Sequence, residues 1–217
     1  MRELETLAQE YPWSPLPLAQ EGDVLRSKNR FADAVQAYDR ALARVQAPTR
    51  NVWPLFYSRG ISEERSHQWN RAEADLKRAL ELAPEQPFVL NYLAYSWADQ
   101  GRHLTEARQM LERAVEQRPN DGAIIDSLGW VLLREGDTAD AIKSLEHAAE
   151  LEPEDATING HLGDAYWAAG RRREAQFQWR RALVMNPDPE EATALESKLH
   201  DALPQTEGAA TAEHRVQ

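Results

Sequence analysis

The side chains that could carry out chemistry are scattered along this chain rather than grouped. No two histidines have the His-x-x-x-His spacing that would place two metal ligands on one helix face. The six are His67, His103, His147, His161, His200 and His214. The sequence also lacks a Gly-x-Ser-x-Gly nucleophile elbow, a phosphate-binding Gly-x-x-x-x-Gly-Lys and a dinucleotide fingerprint. We therefore expect no catalytic residue, no metal ligand and no cofactor.

Adjacent carboxylates are the remaining candidates for acid–base chemistry. The pairs Glu63/Glu64 and Glu190/Glu191 would suit such a role only if burial shifted their acidity, and we interpret both as solvated helix surface. The acids of the turn Glu152–Asp155 would attract a cation. Acids are also common where a helix begins, because they face the positive end of its dipole, and we favour that interpretation.

Arginines form the one basic cluster, and they belong to a predicted helix. The secondary candidate site consists of Arg171, Arg172, Arg173 and Arg180. Such a face would bind an acidic segment or a phosphate of a partner. The alternative is that these arginines pair with nearby acids on an exposed helix, which contributes only a few tenths of a kcal/mol per pair.

Composition excludes several classes of protein. The chain has 217 residues, with 25 Lys and Arg against 36 Asp and Glu, a net charge of −11. That charge argues against a general binder of nucleic acid or of anionic membranes. No run approaches the ~18 apolar residues of a membrane span. The absence of cysteine excludes disulfides and leaves the compartment open.

An internal repeat of 34 residues dominates the sequence. We divide it into copies at 15–52, 53–86, 87–121, 122–155 and 156–189. The third copy has one extra residue near His103–Thr105, and the first is longer near Ala47–Val52. Apolar residues in each copy recur with the spacing of two short amphipathic helices. Single helix pairs cannot bury such stripes alone, so neighbouring pairs must stack.

Small residues recur at fixed positions of both helices. The first helices carry Gly22, Gly60, Ala94, Gly129 and Gly163, and the second helices carry Ala34, Ala72, Ala107, Ala141 and Ala175. Small side chains let the paired backbones approach closely. Gly101, Gly136 and Gly170 stand between paired helices, where a left-handed residue suits the chain reversal.

These features resemble the tetratricopeptide repeat (TPR) family over most of the chain, from Pro15 to Pro189. The resemblance implies an all-α fold, a right-handed superhelix (α-solenoid) of antiparallel helix pairs. Glu21, Arg59 and Glu63 depart from the family's apolar preferences, and we expect the first helix of copy 2 to pack less tightly because of the last two.

The ends differ from the repeats. Residues 1–14 are typical of the tail of a partial repeat, and the alternative is an N-terminal capping helix. Such a tail would make the chain a piece of a longer array. Residues 190–203 are predicted to form a C-terminal capping helix with Leu195, Leu199 and Ala202 on its inner face. We expect residues 204–217 to be disordered, because they lack apolar spacing.

In the TPR family the first helices line a concave wall that binds partners. The equivalent positions here are Tyr57, Ile61, Arg65, Phe88, Asn91, Tyr95, Asp99, Asp126, Trp130, Leu133, Arg134, Gly160, Asp164 and Trp167. Aromatic side chains on a rigid wall bury a large area at little entropic cost, so Tyr95 and Trp130 carry most weight. Arg65, Arg134, Asp99 and Asp126 would fix a ligand's direction. The alternative for Tyr95 and Trp167 is internal packing.

Two narrower comparisons concern the partner. The carboxylate clamp of some TPR proteins needs lysines and asparagines where this chain has Tyr57, Ile61, Asp126 and Trp130, which argues against chaperone-tail binding. The runs NYLAY (91–95), DSLGW (126–130) and HLGDAYW (161–167) resemble repeats of proteobacterial envelope TPR proteins, some of them lipoprotein adaptors of processing proteases. That resemblance implies a periplasmic or envelope location, as part of a longer lipoprotein-like chain. The alternative is the cytoplasm.

The sequence thus favours a non-catalytic scaffold that binds an extended or helical segment of another protein, such as a protease or an envelope protein. The rival hypothesis is a self-associating structural element, a homo-oligomer built by stacking of repeats. An enzyme ranks third, and a polar pocket with a strongly perturbed carboxylate or histidine would favour it. A nucleic-acid-binding solenoid ranks fourth, because of the negative charge.

Overall fold

The computed structural model describes residues 2–202, and within them every regular element is a helix, with no β-strand. The α-helices are α1 Arg2–Glu10, α2 Leu16–Arg26, α3 Phe31–Ala43, α4 Trp53–Glu64, α5 Trp69–Leu82, α6 Pro87–Asp99, α7 Leu104–Gln117, α8 Gly122–Glu135, α9 Thr138–Leu151, α10 Ala156–Ala168, α11 Arg172–Val184 and α12 Pro189–Asp201. A short 3-10 helix, Arg50–Val52, precedes α4. The predicted tail 204–217 lies outside the described residues. None of the described helices has both the length and the apolar character to cross a bilayer.

The helices pack as consecutive pairs. We call α2, α4, α6, α8 and α10 the first helices, and each packs against the helix that follows it, a second helix. The predicted all-α fold of stacked antiparallel helix pairs is therefore confirmed.

Helix starts follow local sequence signals. Asp121, Asp155 and Asp188 cap helices, since their side chains accept hydrogen bonds from backbone N–H groups of the first turn. Pro87 and Pro189 stand in first turns, where the missing N–H costs nothing.

Left-handed residues reverse the chain within each pair, as predicted for three glycines. Gly101, Gly136 and Gly170 have φ of 66°, 91° and 78°. The first two pairs use Asn29 and His67, with φ of 56° and 60°. Asparagine is among the non-glycine residues that tolerate this conformation best.

The small residues allow the close approach that their pattern predicts. A Cβ atom added to Gly163 would lie 2.4 Å from the Trp179 ring, and one added to Gly22 would lie 2.5 Å from the Tyr38 ring. The alanines of the second-helix set, such as Ala175, are fully buried. In these two pairs the large residue of the second helix therefore fills the space that the glycine leaves.

The chain divides into two compact units, residues 1–119 (unit 1) and residues 120–217 (unit 2). In unit 1, Leu25 and Tyr38 belong to one buried cluster, and Ala8, Leu18 and Ala41 belong to another. In unit 2 a single cluster contains Leu145, Leu162, Tyr166, Trp179 and Leu195, and Leu199 and Ala202 of the last helix pack against it.

The first helix of copy 2 corrects one expectation. Glu63 is fully buried, so the interpretation of Glu63/Glu64 as solvated helix surface is wrong. Arg59 and Glu63 join a cluster of opposite charges at the contact of α4 with α3 and α5. The Arg59 guanidinium donates to both oxygens of Asp75, at 2.6 and 2.8 Å, and to Asp39 at 2.6 Å. Arg71 lies 2.9 Å from Glu63.

Candidate protein-interaction surfaces

The first helices of unit 1 carry a cluster of aromatic rings. Tyr57 on α4 is half-buried, and its ring meets Tyr92 edge-on at 6.0 Å between centroids and Trp53 at 5.9 Å. The Tyr92 hydroxyl donates to Glu64 at 2.9 Å. Burial raises the pKa of Tyr57, and burial together with the Glu64 charge raises that of Tyr92. Both phenols thus stay protonated, and that of Tyr92 serves as a hydrogen-bond donor.

The other candidate residues of unit 1 differ in exposure. Phe88 is 43% exposed, and the Arg118 guanidinium lies 4.9 Å above its ring. Ile61, Asn91 and Tyr95 are half-buried, while Arg65 and Asp99 are exposed. The Arg65 guanidinium lies 5.3 Å from the Phe31 ring. The Oδ1 atom of Asn91 is buried with no hydrogen-bond donor among residues 2–202.

Glu63 gives unit 1 a buried carboxyl group with altered acidity. Burial, reinforced by the charge of Asp75, raises its pKa from 4.5 to about 7, against the lowering effect of Arg71 and Arg59. This group belongs to the contact between helices α4 and α5 rather than to the exposed first-helix surface.

In unit 2 the structure joins two helices through a buried acid–base pair. Asp126 on α8 is only 5% exposed, and its two carboxylate oxygens lie 3.0 and 2.9 Å from Nδ1 of His161 on α10. The Asp126 carboxylate therefore faces the interior of the unit and not the solvent. There it orients the imidazole of His161. Burial alone would lower the pKa of His161, but the Asp126 carboxylate outweighs it and the pKa is raised.

Trp130, one turn after Asp126 on α8, stacks on His161. The ring centroids are 4.3 Å apart and the planes differ by 17°. The indole is half-buried, and the exposed Arg134 lies 5.5 Å from its ring. The Nε1 atom of Trp130 is buried and has no acceptor among the described residues. One face of this ring is thus already in use within unit 2.

Trp167 and Asp164 are also partly engaged by their neighbours in unit 2. The Trp167 ring lies 5.2 Å from that of Trp179, and the Arg172 guanidinium lies 3.6 Å above it. Asp164 accepts hydrogen bonds from Trp179 Nε1 at 2.9 Å and from Lys198 Nζ at 2.7 Å. Leu133 packs against the core cluster of unit 2.

Most of the predicted basic patch has partners within unit 2. Arg171 pairs with Glu174 at 3.0 Å and lies 4.1 Å from the Tyr166 ring. Arg172 donates to the backbone carbonyl of Trp167 at 3.1 Å, and Arg180 donates to Gln176 at 3.3 Å. Arg173 is exposed. Of these contacts, only that of Arg171 is the pairing with an acid that the alternative interpretation describes.

Sequence reasoning missed Tyr92 and His161. Tyr92 directly follows the candidate Asn91. Its contacts with Tyr57 and Glu64 of α4 depend on the packing of α6 beside α4, which the sequence does not show. His161 comes 35 residues after Asp126, which is one repeat period plus one residue. That spacing was a usable signal, because residues about one period apart lie side by side on stacked first helices.

Stacked helix pairs of about 34 residues, with small residues at their crossing points, define an α-helical repeat protein. Two family models of the tetratricopeptide repeat match residues 57–122 and 132–199. The chain belongs to the TPR family.

Three relatives are similar in sequence to part of this chain. A TPR repeat-containing protein of Pseudomonas aeruginosa is 32% identical over 144 residues, which is 66% of this chain and 24% of that protein. The cytochrome c-type biogenesis protein CycH of the same organism is 28% identical, over 63% of this chain and 35% of its own length. A probable peptide N-acetylglucosaminyltransferase, SPINDLY, of Hordeum vulgare is 28% identical, over 66% of this chain and 16% of its own length. The chain thus spans about a third or less of the length of these relatives.

Solved structures share the fold. YrrB, a TPR protein with an unusual peptide-binding site, superposes with a TM-score of 0.64 at 21% identity, over 89% of this chain and 97% of its own. A thermophilic TPR protein of Thermus thermophilus gives a TM-score of 0.69 at 21% identity, over 87% and 98%. At these identities the likeness establishes the fold alone.

Proposed function

We propose that this chain is a non-catalytic scaffold whose units bind a segment of another protein through the surfaces of their first helices. TPR folds are in general protein–protein interaction scaffolds. The observation that carries the proposal is that aromatic side chains of these helices, Tyr57 and Tyr95 in unit 1 and Trp130 and Trp167 in unit 2, are only half-buried.

Half-buried rings on packed helices suit partner binding for an energetic reason. A ring that neighbours already hold loses little conformational freedom when a partner covers its remaining surface. Tyrosine and tryptophan accordingly dominate the binding energy of many interfaces. The contacts of Tyr57 with Trp53 and Tyr92, and of Trp130 with His161, provide such support.

Charged residues beside these rings would set the direction of the bound segment. Arg65 and Arg134 are exposed and lie over aromatic rings, at 5.3 and 5.5 Å. A guanidinium near an aromatic ring keeps N–H groups with which it can donate to a carboxylate of the partner. Asp99 is exposed on α6 and would pair with a basic residue of the partner.

The class of partner follows from the resemblance to envelope TPR proteins. We infer an extended or helical segment of an envelope protein or a processing protease, which would place the chain in the periplasm. The relatives from Pseudomonas aeruginosa, one of them a cytochrome c-type biogenesis protein, are compatible with a proteobacterial setting. The peptide-binding site of YrrB is a precedent for peptide capture on this fold.

An enzymatic function has less support. Glu63 and His161 have shifted pKa values, but both are buried among charged residues at contacts between helices. The relative named as a transferase matches this chain over only 16% of its length. TPR repeats are typically non-catalytic.

The proposal is testable with peptides selected from a random-sequence library on the wild-type chain. Each peptide is measured against Tyr57→Ala/Tyr95→Ala in unit 1 and against Trp130→Ala in unit 2. We expect each peptide to lose about tenfold or more in affinity with one of the variants, since a buried aromatic anchor contributes upwards of ~1.4 kcal/mol.

The matched controls replace exposed apolar residues outside the first helices. Trp13→Ala in unit 1 and Phe177→Ala in unit 2 remove side chains that are 69% and 61% exposed. Both controls should bind as the wild type does. Selected peptides that bind the first-helix variants as tightly as the wild type would exclude these surfaces as the binding site.

Self-association is a second candidate function, and one observation favours it. Trp13 and Leu16 of unit 1 are 69% and 67% exposed. Leu16 also lines a mostly apolar groove of about 380 Å³, with Val45, Val52 and Leu55. Apolar surface of this kind is a common site of association between subunits.

A further inference from the structure

Asp126, His161 and Trp130 form a connected series in unit 2. Asp126 and Trp130 are one turn apart on α8, so they lie on the same side of that helix. His161 of α10 contacts both, with Nδ1 at hydrogen-bond distance from the Asp126 carboxylate and its ring parallel to the Trp130 indole. The carboxylate fixes the imidazole, and the imidazole covers one face of the indole.

No hydrogen bond to the described residues fixes the orientation of the Trp130 indole. Its Nε1 atom is buried, and no acceptor for it exists among residues 2–202. A buried indole N–H usually finds a partner, so the contacts of the ring faces gain weight for this side chain. His161 stacks on the indole at 4.3 Å between ring centroids, and the Arg134 guanidinium lies 5.5 Å from the ring.

The charges around His161 favour its protonated form. Asp126 faces it from α8, Asp164 lies on its own helix, and Glu191 and Lys198 act from α12. Three of these four groups are acids, and Lys198 is itself paired with Asp164 at 2.7 Å. A protonated imidazole stacked on an indole gains a cation–π attraction that the neutral ring lacks.

We propose that His161, held by Asp126, is the positioning residue that fixes the Trp130 indole for partner binding by unit 2. This inference rests on the proposed function of the first-helix surface. His161 acts through Trp130 and does not itself touch the partner, because it is only 9% exposed. A fixed indole presents its remaining surface without the entropic cost of ordering it.

The proposal makes binding by unit 2 depend on pH in a definite direction. Below the raised pKa of His161, the imidazolium neutralises Asp126 and holds the indole. Above it, the buried Asp126 loses its counter-charge and the cation–π attraction disappears. Binding should therefore weaken by about fivefold as the pH rises through that pKa, which corresponds to the ordering of one large side chain.

The test uses the full chain and a labelled peptide that is selected on the wild type below the pKa of His161 and that binds the unit 1 variant Tyr57→Ala/Tyr95→Ala as tightly as the wild type. Affinity is measured across the pKa for wild type, Trp130→Ala, His161→Gln and the control His147→Gln. His147 is an exposed histidine of the same unit, 3.7 Å from Glu150. The double variant Asp126→Leu/His161→Phe restores a flat ring against Trp130 without the buried charges.

A second measurement needs no peptide. The fluorescence of Trp130 is obtained as the difference between the wild type and Trp130→Phe, and it is followed against pH. A protonated imidazole quenches a stacked indole more strongly than the neutral ring does. We expect a titration step that His147→Gln retains and His161→Gln abolishes.

The outcomes separate this inference from the proposed function. We expect Trp130→Ala to lose binding, His161→Gln to bind about fivefold more weakly with no pH dependence, and the double variant to recover affinity while staying independent of pH. Unchanged binding by Trp130→Ala would refute the proposed function of this surface. Loss of binding by Trp130→Ala, together with a wild-type pH profile and fluorescence step in His161→Gln, would refute the positioning role alone.

Discussion

Buried charges in unit 1 show how single residues can replace apolar packing. Arg59 holds Asp75 through two hydrogen bonds and also reaches Asp39, so all three nitrogens of its guanidinium donate to carboxylates. Ionisation of Glu63 is costly, because this side chain is fully buried and close to the Asp75 charge. Its protonation state therefore contributes to the stability of the fold.

Glu63→Gln should remove a pH-dependent part of the stability. The pKa of Glu63 is raised from 4.5 to about 7, so its stabilising contribution is fully present below 4.5 and is lost as the pH rises through about 7. Relative to Glu63→Gln, the wild type should lose on the order of 2 kcal/mol of unfolding free energy between about pH 5 and about pH 8. Urea denaturation at the two pH values measures this difference.

The control for this experiment is Glu81→Gln, at an exposed acid of α5. It should reproduce the pH profile of the wild type. If Glu63→Gln and the wild type respond to pH in parallel, the buried carboxyl group ionises in its ordinary range and the description of this cluster is incorrect.

At the scale of the helices, the short distance between the backbones of paired helices explains why small residues occur where they cross. Gly160 and Gly163 both lie on α10, but only Gly163 faces its paired second helix, where an added Cβ atom would lie 2.4 Å from the Trp179 ring. A Cβ atom at Gly160 would lie 3.6 Å from Leu195, an ordinary contact. The same substitution should therefore have opposite effects at these two positions.

We expect Gly163→Ala to destabilise the fold by about 1–3 kcal/mol, because Trp179 must move. Gly160→Ala should instead stabilise it by about 0.5–1 kcal/mol, since alanine restricts the unfolded chain and favours the helix. Thermal denaturation of both variants beside the wild type provides the measurement. Equal effects of the two substitutions would contradict the close approach of α10 and α11.

At the scale of the whole molecule, the two functional hypotheses differ in their effect on association. A scaffold that captures segments of other proteins is expected to remain monomeric over a wide range of concentration. A self-associating chain would grow in mass as the concentration rises. The dependence of mass on concentration must be measured because Trp13 and Leu16 expose apolar surface that a second copy could cover.

Light scattering on the full chain decides between them, with Trp13→Ser/Leu16→Ser as the second sample. We expect the mass of a monomer for both proteins at every concentration. A wild-type mass that rises with concentration, with the double variant remaining monomeric, would favour self-association through the apolar groove of unit 1.

The sequence by itself determined the helix pairs and their class. The apolar spacing, the small residues at crossings such as Gly163 and the left-handed glycines are local or strictly periodic features, and a periodic solenoid builds its core from contacts between neighbouring repeats. One chain therefore carries enough copies of the pattern to identify the family without any long-range information.

Only the tertiary structure decided which polar residues are buried and what they face. Glu63 stands at a position where the TPR family prefers an apolar residue, but only the structure shows that α3 and α5 supply Asp39, Asp75 and Arg71 around it. Asp126 occupies a position that the family's binding wall would expose, yet α10 brings His161 against it. Both outcomes depend on side chains from different helices meeting in space, and because each helix pair differs from the next at these positions, the repeat pattern cannot specify them.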